Sequence, residues 1–257
     1  MGDESKSQHE SKMDIRKIEK NGKIFMIAYD QGMEHGPTDF NNFNYHPNYI
    51  LKIAENAGAS CVAMGYGLAK AFYSRKSLPL ILKLNGKTNL YTKNTRSALI
   101  ANVEDARRLG AVGVGYTIFP GQAGEAEGFA EFAQIRREAE KRGMITILWS
   151  YARGPEIKDQ YATDVVAYAA RVAAELGADA VKVKYTGDAD SFRWVVKCAA
   201  GTRVLISGTD NFPDDYLQGL SEAMKSGASG IAVGRKVWQD ERAEELGKKI
   251  ASKVYNS

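Results

Sequence analysis

The chain has few of the residues that bind metals or form disulfides. Its 257 residues include three histidines and two cysteines, and neither an HxxxH nor a CxxC spacing occurs among them. Zinc sites and disulfide frameworks need such clusters, so we expect no metal cofactor and no disulfide. The two cysteines, Cys61 and Cys198, lie far apart in apolar segments. Because this usage suits a reducing compartment, we expect a cytoplasmic protein.

Long apolar runs and dense basic clusters are also missing. No apolar stretch approaches the roughly 18–20 residues of a membrane span, and the formal net charge of +4 is spread along the sequence. We therefore expect neither a membrane nor a nucleic acid as a partner. The first residues are polar and do not resemble a secretory signal. We expect a disordered tail at residues 1–20 and one folded domain over residues 21–257.

Eight short apolar runs alternate with amphipathic segments along the chain. The predicted strands are Ile24–Tyr29, Ser60–Met64, Leu80–Leu84, Val112–Tyr116, Met144–Trp149, Ala180–Tyr185, Arg203–Ser207 and Gly230–Val233. Strands that are apolar along their whole length belong to parallel sheets covered by helices. Eight such units predict an α/β protein with a single (β/α)8 barrel. A doubly wound sheet is the alternative, but the cluster Gly113–Gly115 lacks the third glycine of a dinucleotide-binding motif.

The predicted strand Ala180–Tyr185 carries two lysines, Lys182 and Lys184, on the same face. A lysine held among apolar groups loses hydration of its charged form, so its pKa falls and its neutral amine becomes a usable nucleophile. The alternative is one lysine that extends to solvent along the apolar surface and one surface lysine at the strand end. The strand alone leaves both interpretations open.

Polar residues also follow most of the other predicted strands, where (β/α)8 barrels carry their reacting groups. Asp30–Pro37 follows the first strand and Trp149–Gly154 the fifth. Ser207–Gly208 and Gly234–Arg235 end the last two strands, and glycines there allow backbone N–H groups to approach a phosphate. Ordinary turns, and core packing of the aromatic residues, are the structural alternatives.

Taken together, these motifs resemble the archaeal-type class I fructose-1,6-bisphosphate aldolases. The resemblance runs in colinear order from about Lys23 to Val254, which is nearly the whole chain. Any single motif is weak, whereas the ordered set is specific. The segments that carry it are Asp30–Pro37, Lys83–Thr88, Gly115–Ile118, Trp149–Tyr151, Val181–Lys182 with Tyr185–Asp188, and Ile231–Arg235.

The resemblance implies a metal-independent Schiff-base lyase of glycolysis and gluconeogenesis, which forms homo-oligomers and takes a phosphorylated sugar as substrate. By this resemblance, Lys182 is the Schiff-base lysine and Tyr151 the proton donor. Lys182 also lies one layer deeper in its strand than Lys184, which agrees with this choice. Asp30 is expected to hold or relay protons at the carbinolamine and the substrate hydroxyls.

The remaining predicted site residues bind the substrate or form the wall of its pocket. Ser207, Gly208, Gly234 and Arg235 are expected to hold one phosphate, and Arg153 with His35 is expected at the other end. Lys184 is expected either to tune Lys182 or to contact phosphate. The full predicted binding set is Gln31, His35, Trp149, Arg153, Lys184, Ser207, Gly208, Thr209, Gly234 and Arg235.

One segment departs from the family pattern. Many relatives follow the serine of the seventh strand with a second glycine, a proline and a lysine, whereas this chain has Thr209-Asp210-Asn211 after Gly208. The change removes positive charge near the predicted phosphate site, so the sequence leaves open which anionic group binds there. One alternative is a Schiff-base aldolase or transaldolase for another phosphorylated ketose, such as an aromatic amino-acid precursor synthase. Another is an isomerase barrel that binds phosphosugars without a covalent intermediate.

Overall fold

A computed structural model describes residues 14–75, 77–90, 96–208, 211–213 and 215–257 of the chain. Eight parallel strands close into a barrel in the order β1-β8-β7-β6-β5-β4-β3-β2. Their bounds are β1 Ile24–Tyr29, β2 Cys61–Gly65, β3 Leu80–Lys83, β4 Gly113–Ile118, β5 Ile145–Ser150, β6 Ala180–Val183, β7 Arg203–Ser207 and β8 Gly230–Val233. The predicted (β/α)8 barrel is confirmed, and the predicted strand bounds are off by at most two residues.

Alternate residues of each strand enter two different apolar cores. Met26, Ile81 and Leu205 belong to a cluster inside the barrel, whereas Ile27 and Leu82 belong to the larger cluster between the strands and the helices. A strand residue points to one face and its neighbour to the other, so both faces are apolar when both are covered. This double coverage explains why the strands are continuous apolar runs in the sequence.

Helices surround the barrel in the described part of the chain. The longer ones match the predicted amphipathic segments, and none of those described is both long and apolar enough to cross a membrane. The helices are Gly32–His35, Pro47–Asn56, Tyr66–Phe72, Val103–Leu109, Glu125–Lys141, Thr163–Glu175, Ala189–Cys198, Tyr216–Met224, Arg235–Trp238 and Ala243–Tyr255.

Several short elements at the carboxyl ends of the strands were not predicted. Gly32–His35 and the 3-10 turn Gly36–Asp39 follow β1, and Arg235–Trp238 follows β8. An antiparallel ribbon pairs Asn85–Gly86 with Ala98–Leu99 after β3. Elements of two to four residues are too short for a hydrophobic period to reveal them. They nevertheless determine where the polar residues after each strand lie.

The amino end of the described chain covers the opposite, amino-terminal opening of the barrel. Ile15–Ile18 forms a 3-10 helix, Lys20 bridges to Lys23, and Ile18 is fully buried in the cluster inside the barrel. Glu19 pairs with Arg203 at the start of β7, at 3.0 Å. The prediction of a disordered tail through residue 20 is therefore wrong for residues 14–20, and residues 1–13 lie outside the described ranges. The residues on both sides of Ile18 are polar, so the sequence pattern did not indicate that this one side chain fills the end of the core.

We expect Ile18→Ala to lower the free energy of unfolding by about 2–5 kcal/mol, because it leaves a cavity in the core inside the barrel. Urea denaturation of the purified protein measures this loss. Ile15→Ala is the matched control, since Ile15 is only partly buried against the same cluster, and its loss should be smaller. Equal stability of the Ile18 variant and the parent would contradict the assigned packing.

Candidate active site

A cavity of about 280 Å³ opens where the barrel strands end. Its wall combines strand-end residues with the short elements that follow β1, β3 and β8. This is the end at which (β/α)8 barrels bind their ligands. Of the predicted site residues, the wall includes Asp30, Gln31, His35, Trp149, Tyr151, Arg153, Lys182, Lys184, Ser207, Gly234 and Arg235.

Lys182 and Lys184 reach the cavity from β6 and the residue after it. Lys182 lies in register with Trp149 and Leu205 on the neighbouring strands, and its Nζ is 5.8 Å from the centroid of the Trp149 ring. The Nζ of Lys184 lies 4.8 Å from the centroid of the Tyr161 ring and donates to its hydroxyl at 3.5 Å. The two lysines are 8% and 9% exposed, so overall burial does not separate them. Their surroundings do, because Lys182 alone lies within the strand layer.

A third buried lysine, Lys83, lines the same cavity and was not predicted as a site residue. It ends β3, is 6% exposed, and its Nζ lies 3.9 Å from an oxygen of Asp30. Burial lowers the pKa of Lys83, while the carboxylates of Asp30 and Glu34 act in the opposite direction. The signal that identified Lys182 was present here too, because Ile81 and Lys83 share the inner face of β3.

Trp149 occupies the barrel interior because the neighbouring strand β4 supplies a glycine. A Cβ atom on Gly115 would lie 2.4 Å from Cζ3 of the Trp149 ring, and one on Gly113 would lie 2.6 Å from the carbonyl oxygen of Ile145. Any larger residue at these positions would displace the tryptophan or the neighbouring strand. The Gly113–Gly115 cluster therefore serves packing, which explains why it did not complete a nucleotide-binding motif.

Ser207, Gly234 and Arg235 come together at the ends of β7 and β8. The guanidinium of Arg235 lies 3.6 Å from one carboxylate oxygen of Asp39, and Nδ1 of His35 lies 3.8 Å from the other. Asp39 was not predicted, since it lies in the short 3-10 turn that the sequence pattern did not reveal. His35 and Arg235 therefore lie near the two oxygens of one carboxylate, and the placement of His35 with Arg153 stays a prediction.

Gly208 does not line the cavity. Its N–H donates to the carbonyl of Ala232, its own carbonyl accepts from the hydroxyl of Tyr216, and a Cβ atom would lie 2.6 Å from Val233. The N–H of Gly208 already donates to a carbonyl within the protein, so the structure does not support the expectation that Gly208 contacts phosphate. Thr209 and Asp210, which belong to the segment that departs from the family pattern, lie outside the described ranges.

Arg153 reaches the cavity from the loop after β5 and meets a lysine that was not predicted. The guanidinium carbon of Arg153 and the Nζ of Lys87 lie 5.0 and 5.1 Å from the centroid of the Phe119 ring. Arg153 also lies 5.8 Å from the ring of Tyr151. Lys87 belongs to the Lys83–Thr88 motif, from which it could have been recognised. Within the described ranges, no group of three or more His, Cys, Asp or Glu side chains could hold a metal ion.

Residues 24–240 match the model of the DeoC/LacD family of aldolases. The chain belongs to this family. A class 1 fructose-bisphosphate aldolase of Thermoproteus tenax is 45% identical over 245 residues, which are 94% of this chain and 93% of that protein. A protein of Methanocaldococcus jannaschii named fructose-bisphosphate aldolase/6-deoxy-5-ketofructose 1-phosphate synthase is 36% identical, over 86% of this chain and 77% of its own.

Comparison with solved structures supports the assignment to an aldolase family. This chain is similar to a solved archaeal fructose-1,6-bisphosphate aldolase whose catalytic lysine is covalently bound to the carbinolamine intermediate of the substrate. The TM-score is 0.89 at 44% identity, over 93% of this chain and 97% of that one. The resemblance to archaeal-type class I aldolases, the barrel fold and the assignment as an aldolase are thereby confirmed. The roles of individual residues stay predictions.

We expect Gly115→Ala to lower the free energy of unfolding of this aldolase by about 1–3 kcal/mol, because the new methyl group overlaps the Trp149 ring. Chemical denaturation measures the change. Gly128→Ala is the matched control, since Gly128 is helical and a Cβ there meets nothing within 4 Å. The control should gain about 0.5–1 kcal/mol from helix propensity. A Gly115 variant as stable as the parent would contradict the packing described for Trp149.

Proposed function

We propose that this aldolase is a class I fructose-bisphosphate aldolase, which reversibly cleaves fructose 1,6-bisphosphate to dihydroxyacetone phosphate and glyceraldehyde 3-phosphate. The observation that carries the proposal is Lys182, a lysine 8% exposed in a cavity whose wall also carries Arg235, Arg153 and Lys87. A lysine in such surroundings can react as the neutral amine, and an iminium formed on it is an electron sink. The carbinolamine on the catalytic lysine of the similar archaeal structure supports the same chemistry.

The proposed reaction begins when the neutral amine of Lys182 attacks the C2 ketone of the open-chain sugar. Loss of water from the carbinolamine gives an iminium, and Asp30 holds or relays the protons of this step. Removal of the proton from the C4 hydroxyl lets the C3–C4 bond break, which releases glyceraldehyde 3-phosphate and leaves an enamine. Tyr151 then protonates C3, and hydrolysis frees dihydroxyacetone phosphate and restores Lys182.

Cations at two places in the cavity wall suit a substrate with a phosphate at each end. Arg235 lies with Ser207 and Gly234 at the ends of β7 and β8, and Arg153 lies with Lys87 around Phe119. A guanidinium binds phosphate through paired, charge-assisted hydrogen bonds, and a lysine adds a point charge. We assign one phosphate to each of these two places.

Cytoplasmic location, homo-oligomer formation and a place in glycolysis and gluconeogenesis stay predictions.

A second candidate keeps the Schiff base but changes the sugar partner. The family resemblance implies a lysine in the segment after Gly208, whereas this chain has Thr209-Asp210-Asn211 there. One related protein, 36% identical, is also named 6-deoxy-5-ketofructose 1-phosphate synthase. Assay of cleavage with fructose 1,6-bisphosphate and with fructose 1-phosphate tests this candidate, because only the first substrate carries a phosphate at each end.

Borohydride reduction in the presence of dihydroxyacetone phosphate and EDTA tests the proposed nucleophile. We expect a stable adduct, which peptide mapping places on Lys182, and we expect Lys182→Met to form none and to cleave at the background rate. Lys184→Met is the matched control and should still be trapped on Lys182. An adduct on Lys184 would reassign the nucleophile, and no adduct despite ligand binding would favour a non-covalent isomerase barrel.

Tyr151→Phe should separate Schiff-base formation from proton transfer. We expect the borohydride adduct to form as in the parent, while exchange of the C3 proton of dihydroxyacetone phosphate in deuterated water slows by about 10²- to 10⁴-fold. Proton NMR of the ligand measures the exchange. Exchange at the parental rate would show that another group protonates the enamine.

A further inference from the structure

Lys83 is held in the cavity wall by a rigid acceptor. Its Nζ donates to the carbonyl of Asn85 at 2.9 Å. Asn85 is 1% exposed and is itself fixed, because its side-chain amide donates to the carbonyl of Thr117 at 2.9 Å and accepts from the Thr117 N–H at 2.8 Å. The ammonium of Lys83 therefore has little freedom to move, even though a lysine side chain has four rotatable bonds.

The other neighbour of Lys83 is the carboxylate of Asp30, at 3.9 Å. When only side-chain atoms are counted, Lys83 and Asp30 are each 8% exposed. A carboxylate buried to this extent is costly to ionise unless a cation or hydrogen-bond donors compensate for the lost water. The N–H of Asp30 donates to its neighbour Gln31, so the main chain of this residue is also restrained. Lys83 supplies the positive charge at the carboxylate end.

Lys83 and the proposed nucleophile share one aromatic neighbour. The Nζ atoms of Lys83 and Lys182 lie 5.6 and 5.8 Å from the centroid of the Trp149 ring. The ring thus connects the pair Lys83–Asp30 to the position at which the carbinolamine would form. The other charged groups that face this region of the cavity are Glu34, Lys87, Arg153, Lys184 and Arg235, together with the titratable His35 and Tyr151.

We propose that Lys83 is a positioning residue, which fixes the carboxylate of Asp30 beside the reacting atoms so that it can accept and return protons. The proposal rests on the proposed function and adds a residue to it. Lys83 does not form the covalent intermediate, and it acts through Asp30. Without Lys83, the carboxylate would turn toward another donor and would lose its function at the carbinolamine and the C4 hydroxyl.

A double-mutant cycle between Lys83→Met and Asp30→Asn tests this inference. We expect Lys83→Met to lower kcat for fructose 1,6-bisphosphate cleavage by about 100-fold, which is the effect of a small misplacement of a reacting group. KM should change far less, and borohydride should still trap dihydroxyacetone phosphate on Lys182. In the Asp30→Asn background, Lys83→Met should change kcat within about twofold, because its target is already lost.

The controls separate positioning from a loss of folding. Lys23→Met removes a lysine at the other end of the barrel, whose pKa is also lowered by burial and whose Nζ also donates to a carbonyl, that of Ala228. It should retain the parental kcat. If Lys83→Met melts below the assay temperature, Lys83→Gln replaces it in the cycle, since glutamine keeps a donor for Asn85 but carries no charge.

Three results would overturn the inference. In the first, the reductions in kcat caused by the two single substitutions multiply in the double variant. In the second, the Lys83 variant keeps the parental kcat. In the third, borohydride forms an adduct on Lys83 in the parent. Each requires a parent enzyme that cleaves the bisphosphate or is trapped by borohydride. A parent that does neither refutes the proposed function itself, so the two failures are distinguishable.

Discussion

Closure of the barrel leaves the side chains of Lys83 and Lys182 little contact with water, and the rest of the site depends on this. Each lysine takes an inner position on a strand that is otherwise apolar, so neither can reach solvent by turning outward. An unpaired ammonium in such a place is costly, and the protein can compensate with a carboxylate, with carbonyl groups or by loss of the proton. The structure uses the first two for Lys83. Loss of the proton is what the proposed chemistry needs at Lys182.

The balance of charge around the cavity follows from the same constraint. Cations outnumber the carboxylates of its wall, and the carboxylate of Asp39 lies between His35 and Arg235 and orients them. A doubly phosphorylated ligand would neutralise the excess, whereas an uncharged sugar would leave it unbalanced. Arg235 lies after β8, whereas Arg153 and Lys87 lie around Phe119, so charge and shape both favour a substrate that is anionic at each end.

Packing inside the barrel limits what the site can contain. The indole of Trp149 fits only because β4 presents Gly115, and the opposite opening is filled by Ile18 from the segment before β1. The barrel interior therefore holds polar and aromatic groups near the carboxyl ends of the strands and apolar groups near their amino ends. Because the two kinds of residue are separated, the carboxyl ends can carry chemistry without loss of the core that stabilises the strands.

The sequence by itself determined the eight-unit barrel and the placement of Lys182 and Lys184 on one face of their strand. Both follow from periods that the covalent chain imposes, namely helix and strand spacing and the alternation of faces along one strand. Only the tertiary structure decided which side chains from different strands meet. It paired Lys83 with Asp30, brought His35 to Arg235 and turned Gly208 away from the cavity. Such contacts depend on strand register and on short turns of four residues or fewer, which leave no periodic signal in the sequence.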